Sequence, residues 1–345
     1  LSENDYKSCT DPSRTGMKCL PFNKIPLAQG NILHDWHAEI IAIRAFDRYL
    51  LDECLLISTP PSPTSDFIRS LSPDEHPESS RPFTIREDVS VYMYCSEAPC
   101  GDASMELTMA AQEDATPWTS APPTLSSPCR PDEEKETAPS ALRGRSNFSH
   151  LGVVRAKPSR PDAPPTLSKS CTDKLAMKQA TSLLSSTSSI LISPQNAYIS
   201  TLVLPASQLV PAACERAFSS SGRLKGLSHE GWKGGYRFQC FEVKPTSREF
   251  KWSRRALSSA EKAVPSNLSA VWTPHRQETL IGGVLQGRKQ LDPRGASIIC
   301  RKGMWVDALR LAGLVGIPVL LEAIKTGRYE DMKQSEMLEE RRKIK

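Results

Sequence analysis

The sequence predicts an α/β domain, a central sheet flanked by helices and interrupted by inserts. Three observations carry that prediction. Short alternating runs that suit strands recur between amphipathic stretches, so strand and helix alternate along the chain. Two segments rich in Pro, Ser and acids, 59–82 and 115–145, break the alternation and read as disordered inserts. The residues with most chemical potential stand at helix starts, which an α/β topology gathers at one sheet edge.

The 345 residues carry 39% hydrophobic residues and 28 prolines, the composition of an ordinary core diluted by inserts. Residues 1–14 are polar and aperiodic, and Thr15-Gly16-Met17-Lys18-Cys19-Leu20 reads as a strand end entering a turn. A first helix is expected over 36–56, with Asp35 as N-cap and Ile40, Ile43, Phe46, Leu50 and Leu51 at helical spacing. The alternating run 89–95 is a strand leading to Pro99-Cys100, and 105–112 is helical. Further strands are expected near 152–156, 198–204 and 236–243, with a helix from Cys171 to about 184 between the first two. Residues 271–285 suit a strand or helix pair and 304–314 a helix. In 330–345, Met332, Met337, Leu338 and Ile344 look too sparse to seal a core. The domain is therefore expected over 15–325, with 1–14 and 326–345 as atypical, truncated-looking ends.

Ten cysteines without clustered spacing do not describe a disulfide scaffold. With no signal peptide and no membrane-length apolar run, the expected setting is intracellular, nucleus or cytoplasm. The net charge of +5 conceals an asymmetry. Residues 1–140 hold 11 Lys+Arg against 23 Asp+Glu, while 141–310 hold 26 against 10. So basic a middle section points to a polyanionic partner, nucleic acid before membrane.

His37-Ala38-Glu39 at a helix start is half of a zinc-deaminase signature, in which the His binds metal and the Glu carries protons. Alone the pair is weak. Pro99-Cys100 supplies the second half, a thiol whose pKa a helix N-terminus lowers. Compact deaminases place another Cys three residues on; here Ala103 stands there. Catalytic zinc takes three protein ligands and an open position, so the third ligand must be remote. Cys54 lies far down the first helix, Cys95 inside a strand and Cys129 in an insert, while Cys214, Cys240 and Cys300 lack a helix-start context. Cys171 opens a helix between Lys169 and Lys174, and context favours it without excluding the rest.

His37-Ala38-Glu39, Pro99-Cys100-Gly101-Asp102-Ala103 and Ser170-Cys171-Thr172-Asp173-Lys174 resemble, in order, the zinc-site motifs of the RNA-editing adenosine deaminases. The resemblance extends from Thr15 through Gly287-Arg288-Lys289 and Gly295-Ala296-Ser297 to about Leu311, and is closer to the tRNA-specific group because no double-stranded-RNA-binding module is evident. It implies a cytidine-deaminase-like three-layer fold, zinc held by His37, Cys100 and Cys171, and Glu39 as proton shuttle in converting adenosine to inosine in tRNA. It implies that Lys18 lies near the target nucleotide's phosphate. It also implies inositol hexakisphosphate in a cationic pocket including Arg44, Lys174, Arg288 and Arg301. Ile43 and Met177 stand where the editing enzymes have further basic residues, and the segment that completes the pocket looks replaced or cut off after 325–333. No membrane and no obligate protein partner is expected. Two rivals remain: a nucleic-acid cytidine deaminase, and an inactive zinc-fold RNA-binding protein from an incomplete chain.

Overall fold

The computed structural model describes residues 18–72, 75, 81–114, 116, 124–125, 141–143, 147–157, 163–227, 231–256, 267–325 and 329–345. Their helices and strands, in chain order, are α1 (Ile25–Ala28), α2 (Ala38–Ile57), β1 (Ile68–Ser70), β2 (Phe83–Ile85), β3 (Val91–Tyr94) and α3 (Met105–Ala110). Then come β4 (Thr124–Leu125), β5 (Ala141–Arg143), β6 (Arg155–Ala156), α4 (Cys171–Thr181), α5 (Ser188–Leu191), β7 (Ile199–Pro205), α6 (Pro211–Phe218) and β8 (Glu242–Thr246). The rest are β9 (Leu268–Thr273), β10 (Arg276–Ile281), β11 (Val284–Leu285), α7 (Arg301–Val315), α8 (Pro318–Lys325), α9 (Tyr329–Gln334) and α10 (Glu339–Ile344).

β3, β7 and β8 form a parallel sheet in that order. Parallel neighbours need crossovers, and α4 with α5, then α6, lie within those connections. β9, β10 and β11 make a separate antiparallel sheet. The α/β class and the central parallel sheet flanked by helices thus stand as expected.

Helix α2 organises the core because its apolar residues point three ways. Leu50, Leu51 and Cys54 pack with β1, β2, α5 and α7 residues, among them Ile68, Phe83, Ile190 and Met304. Ile43 joins Met93, Leu175, Ile199 and Leu202 on the parallel sheet. Ile41 and Ala45 meet Trp36, Val271, Leu280 and Val284 of the antiparallel one. A helix buried around its circumference holds its N-terminal residues rigidly, and those are His37 and Glu39.

Several elements differ from the sequence reading. The first helix starts at Ala38 with His37 as N-cap; Asp35 spends its carboxylate elsewhere. Within the first insert, β1 pairs antiparallel with β2 and Ile68 is buried, because one Ile in the Pro/Ser stretch fills the core beside Ile85. In the second, β4 pairs with β5, and β5 with β6, so the disorder expected there does not hold for those residues. Most of 115–145, including Cys129, and the segment 1–17 lie outside the described residues. The tail is not too sparse to pack. Met332, Leu338 and Ile344 all face inward and are buried. No helix among the described residues is long and apolar enough to cross a membrane.

Candidate active site

The head of α2 is fixed by a carboxylate. Asp35 pairs with Cys19 in an isolated antiparallel bridge, and the Trp36 N–H donates to the Lys18 carbonyl at 3.0 Å. Asp35 Oδ1 accepts from the His37 backbone N–H at 3.0 Å and lies 2.7 Å from His37 Nδ1. Its Oδ2 accepts from Lys157 Nζ at 2.8 Å, from Ser168 Oγ at 2.7 Å and from Lys174 Nζ. Burial alone would raise the Asp35 carboxyl, yet Lys157, His37 and Lys174 hold it well below the usual range. Burial likewise opposes the charge on His37, but Asp35 outweighs it and pushes the imidazole up to about 10. An imidazole held at Nδ1 by a carboxylate has its orientation set.

The cysteines arrive from two other helix starts. Gly101, at φ +111°, lets the chain turn after Cys100; a Cβ there would fall 2.2 Å from Ser170 Oγ. That close approach brings the α3 entry onto the α4 entry. Thr172 locks them together, its N–H donating to the Cys100 carbonyl at 3.0 Å and its Oγ1 to the Pro99 carbonyl at 2.9 Å. The Cys171 N–H donates to Cys100 Sγ at 3.3 Å. Lys157 follows β6, whose Ala156 bridges Lys169, and its Nζ reaches Cys171 Sγ at 3.1 Å. A hydrogen bond from the Cys171 thiol, aided by the charges of Lys157 and His37, holds Cys100 well below the ordinary thiol value. Burial, and that same bond, push Cys171 well above it.

Glu39 is half-buried in the first turn of α2. Burial raises Cys95 and Cys171, and the Glu39 charge adds to both. Of the residues singled out for chemistry, Cys100 and Cys171 are thus brought into contact, whereas the metal-capable group that contains His37 among the described residues includes neither of them. Sequence reasoning missed three neighbours. Lys157 and Asp35 supply the charge balance. Cys19 Sγ is 3.9 Å from His37 Nδ1, and the metal-capable atoms of Cys19, Asp35 and His37 all lie within 4.8 Å of one another. Both Asp35 oxygens are already hydrogen-bonded, however, and its 2.7 Å approach to Nδ1 is a hydrogen-bond distance. Asp35 suits orienting the imidazole better than ligating beside it.

A second, part-buried polar cluster lies along α2 and α4. Arg44 donates to the Ile299 carbonyl at 2.9 Å, and Arg301 stacks over the Tyr329 ring at 5.3 Å. Lys178 donates to the carbonyls of Leu183 and Leu184 at 2.7 and 3.0 Å. Arg341, 4% exposed, donates to those of Thr181 and Leu184. Burial depresses Lys178 well below a normal lysine, and the charges of Arg341, Lys345 and Arg44 depress it further. Burial and Arg301 lower Arg44. The tail expected to be replaced or cut off contributes Arg341 to this cluster. Arg288 stands apart, exposed beside Gly295, and Lys18 is half-buried on the segment preceding Cys19.

A model of the adenosine-deaminase (editase) domain matches residues 14–341. The chain belongs to that family. It is 38% identical over 296 residues to tRNA-specific adenosine deaminase 1 of Schizosaccharomyces pombe, covering 84% of this chain and 70% of the relative. The protein of that name from Saccharomyces cerevisiae is 36% identical over 182 residues, 49% of this chain and 40% of its own length. Double-stranded RNA-specific adenosine deaminase of Mus musculus is 32% identical over 91 residues, 26% of this chain and 7% of its own. Against this family, the cytidine rival has no support.

Proposed function

We propose that this chain deaminates adenosine to inosine in tRNA, with zinc held by His37, Cys100 and Cys171. The observation that carries the reading is the junction of the Cys100 and Cys171 segments, where the Cys171 N–H donates to Cys100 Sγ and both sulfurs feel Lys157. One imidazole and two sulfurs fit the donor chemistry of catalytic zinc, which binds its thiol ligands deprotonated. When bound, zinc supplies Lewis acidity that makes water reactive near neutral pH.

The chain's own groups do the rest. Asp35 fixes the imidazole through Nδ1, and the Lys157 ammonium offsets negative charge on Cys171. Glu39 takes a proton from the attacking water and gives it to purine N1 as C6 becomes tetrahedral, then takes the proton of the new C6 hydroxyl and delivers it to the amino group, which leaves as ammonia while C6 becomes a carbonyl. An anticodon-loop adenosine, already partly unstacked, reaches such a site at lower cost than a paired one. The long matches to proteins named tRNA-specific support that substrate over a duplex. Lys18 is assigned to the target nucleotide's phosphate. Nucleus or cytoplasm is the compartment this implies.

Inositol hexakisphosphate is the polyanion proposed for the second cluster, on Arg44, Lys174 and Arg301, now joined by Lys178 and Arg341. Buried cations gathered around few carboxylates are unstable unless an anion neutralises them.

The deciding experiment is Glu39→Gln assayed for inosine in bulk tRNA, with metal content measured on the same sample. Zinc should remain stoichiometric while turnover falls at least about 10³-fold, in the range for a lost general acid–base. Undiminished turnover in the metal-loaded variant would remove Glu39 from the reaction. Inosine in duplex RNA but not in tRNA would reassign the substrate.

A further inference from the structure

One face of the parallel sheet is left open at its edge. Parallel sheets are ordinarily covered on both faces. Here Met93 of β3 points into the core while Tyr92 and Tyr94, on the other face, are 67% and 44% exposed. The register carries that face across the sheet, aligning Tyr92 with Thr201 and Glu242, and Tyr94 with Val203 and Lys244. Lys244 is exposed, 2.6 Å from Glu242 and close enough to Tyr92 to be influenced by it. The Tyr94 hydroxyl donates to the Arg248 carbonyl at 3.2 Å, joining the face to the segment after β8. In that segment the Lys251 ammonium lies over the Trp252 ring at 5.3 Å.

The charge of this region is one-sided. From β8 onward, residues 242–256 hold 5 Lys+Arg against 2 Asp+Glu, a balance of +3. Its position is also specific. Arg255 turns back to Glu97 at 2.7 Å and to the Ser96 carbonyl at 2.6 Å, on the short link between β3 and Cys100. The open face therefore continues into the approach to the zinc site.

We infer that Tyr92 and Tyr94, with Lys244 and Arg248, form a stacking platform for unpaired nucleotides of the RNA substrate flanking the target adenosine. Neighbouring tyrosines on a strand present flat π-faces to successive bases, and basic residues beside them track the backbone. A purely apolar protein partner would not call for the cations. The inference rests on the proposed RNA substrate, and its test separates the two.

The test is binding of fluorescein-labelled tRNA by anisotropy across a salt series, together with steady-state inosine formation. Tyr92→Ala should weaken binding about tenfold or more, the loss expected for one stacked base, while Tyr92→Phe retains wild-type affinity. The Ala variant should raise KM and leave kcat unchanged, because Tyr92 touches no reacting atom. Lys244→Gln with Arg248→Gln should reduce the salt slope by about 1–2. Tyr92 is largely exposed, so its truncation leaves the core intact. Affinity within twofold of wild type for Tyr92→Ala overturns the platform, whether a protein or nothing occupies the face. A loss in Tyr92→Phe as large as in Tyr92→Ala overturns stacking. If no inosine forms yet binding depends on Tyr92, the deaminase reading fails and the platform stands. If inosine forms with KM indifferent to Tyr92→Ala, the reverse holds.

Discussion

The two polar clusters on either side of His34 solve the problem of charge in opposite ways. At the head of α2, Asp35 is surrounded by His37, Lys157 and Lys174, and Cys100 and Cys171 adjoin Lys157, so positive and negative groups alternate within hydrogen-bond reach. Along α2 and α4, Arg44, Lys178, Arg301 and Arg341 gather around Asp47, whose own carboxyl burial pushes up. Much of their hydrogen bonding goes to carbonyls, which carry no net charge. A balanced cluster is fixed in place by its own members and suits positioning a reaction. An unbalanced one is held against repulsion and suits a bound anion.

The sharpest way to break this contrast is to unbalance the first cluster. Asp35→Asn leaves Lys157, 5% exposed, without its carboxylate and frees the His37 ring. Zinc affinity should fall about 10–100-fold, the usual cost of losing the partner that orients a ligand. Stability of the metal-loaded protein should fall by about 3–5 kcal/mol, as when one member of a buried ion pair is removed. Metal titration and chemical denaturation of the same variant measure both. Unchanged zinc affinity would mean that Asp35 does not orient the site.

The converse is to balance the second cluster. Titrating inositol hexakisphosphate into polyanion-free protein should stabilise it by about 3 kcal/mol at a hundredfold excess over Kd, while equal ionic strength from chloride does not. Lys178→Gln should remove at least half of that gain and leave zinc content unchanged. Stabilisation by chloride equal to that by the polyphosphate would make the cluster a general screening effect.

What was legible in the sequence follows the range of each signal. His37-Ala38-Glu39, Pro99-Cys100 and the helix opening at Cys171 are local, because a helix start is written in a few adjacent residues. Asp35 carried a local signal with the wrong meaning: a residue suited to an N-cap binds His37 and two lysines instead. Lys157 and Cys19 gave no signal, since the Ala156–Lys169 and Cys19–Asp35 bridges that deliver them join segments distant in sequence. The tail misled because apolar count says less than direction. Its few apolar residues all face the core, and Arg341 is held by the carbonyls that end α4. Ile68 is the same lesson inside a stretch whose composition reads as disorder.

The smallest effect tests the boundary between the clusters. His34 lies between them, and burial, with the charges of Arg301, Arg44 and Lys174, lowers it from 6.5 to about 4. Between those two values the unfolded chain binds a proton that the folded chain does not, so stability rises with pH across that window. A shift of this size corresponds to at most about 3 kcal/mol, and solvent at the half-buried ring trims it to about 1–2 kcal/mol. His34→Gln should flatten that part of the pH–stability profile in polyanion-free protein. A bound polyphosphate should flatten it too, by neutralising Arg44 and Arg301 and returning the imidazole towards its ordinary value. Denaturation midpoints at pH 4.5, 5.5 and 6.5, with and without inositol hexakisphosphate, measure both changes. If the polyphosphate flattens the profile of wild type and leaves that of His34→Gln unaltered, the two clusters are electrostatically joined through His34. If it alters both equally, the anion acts through other groups and the clusters are independent.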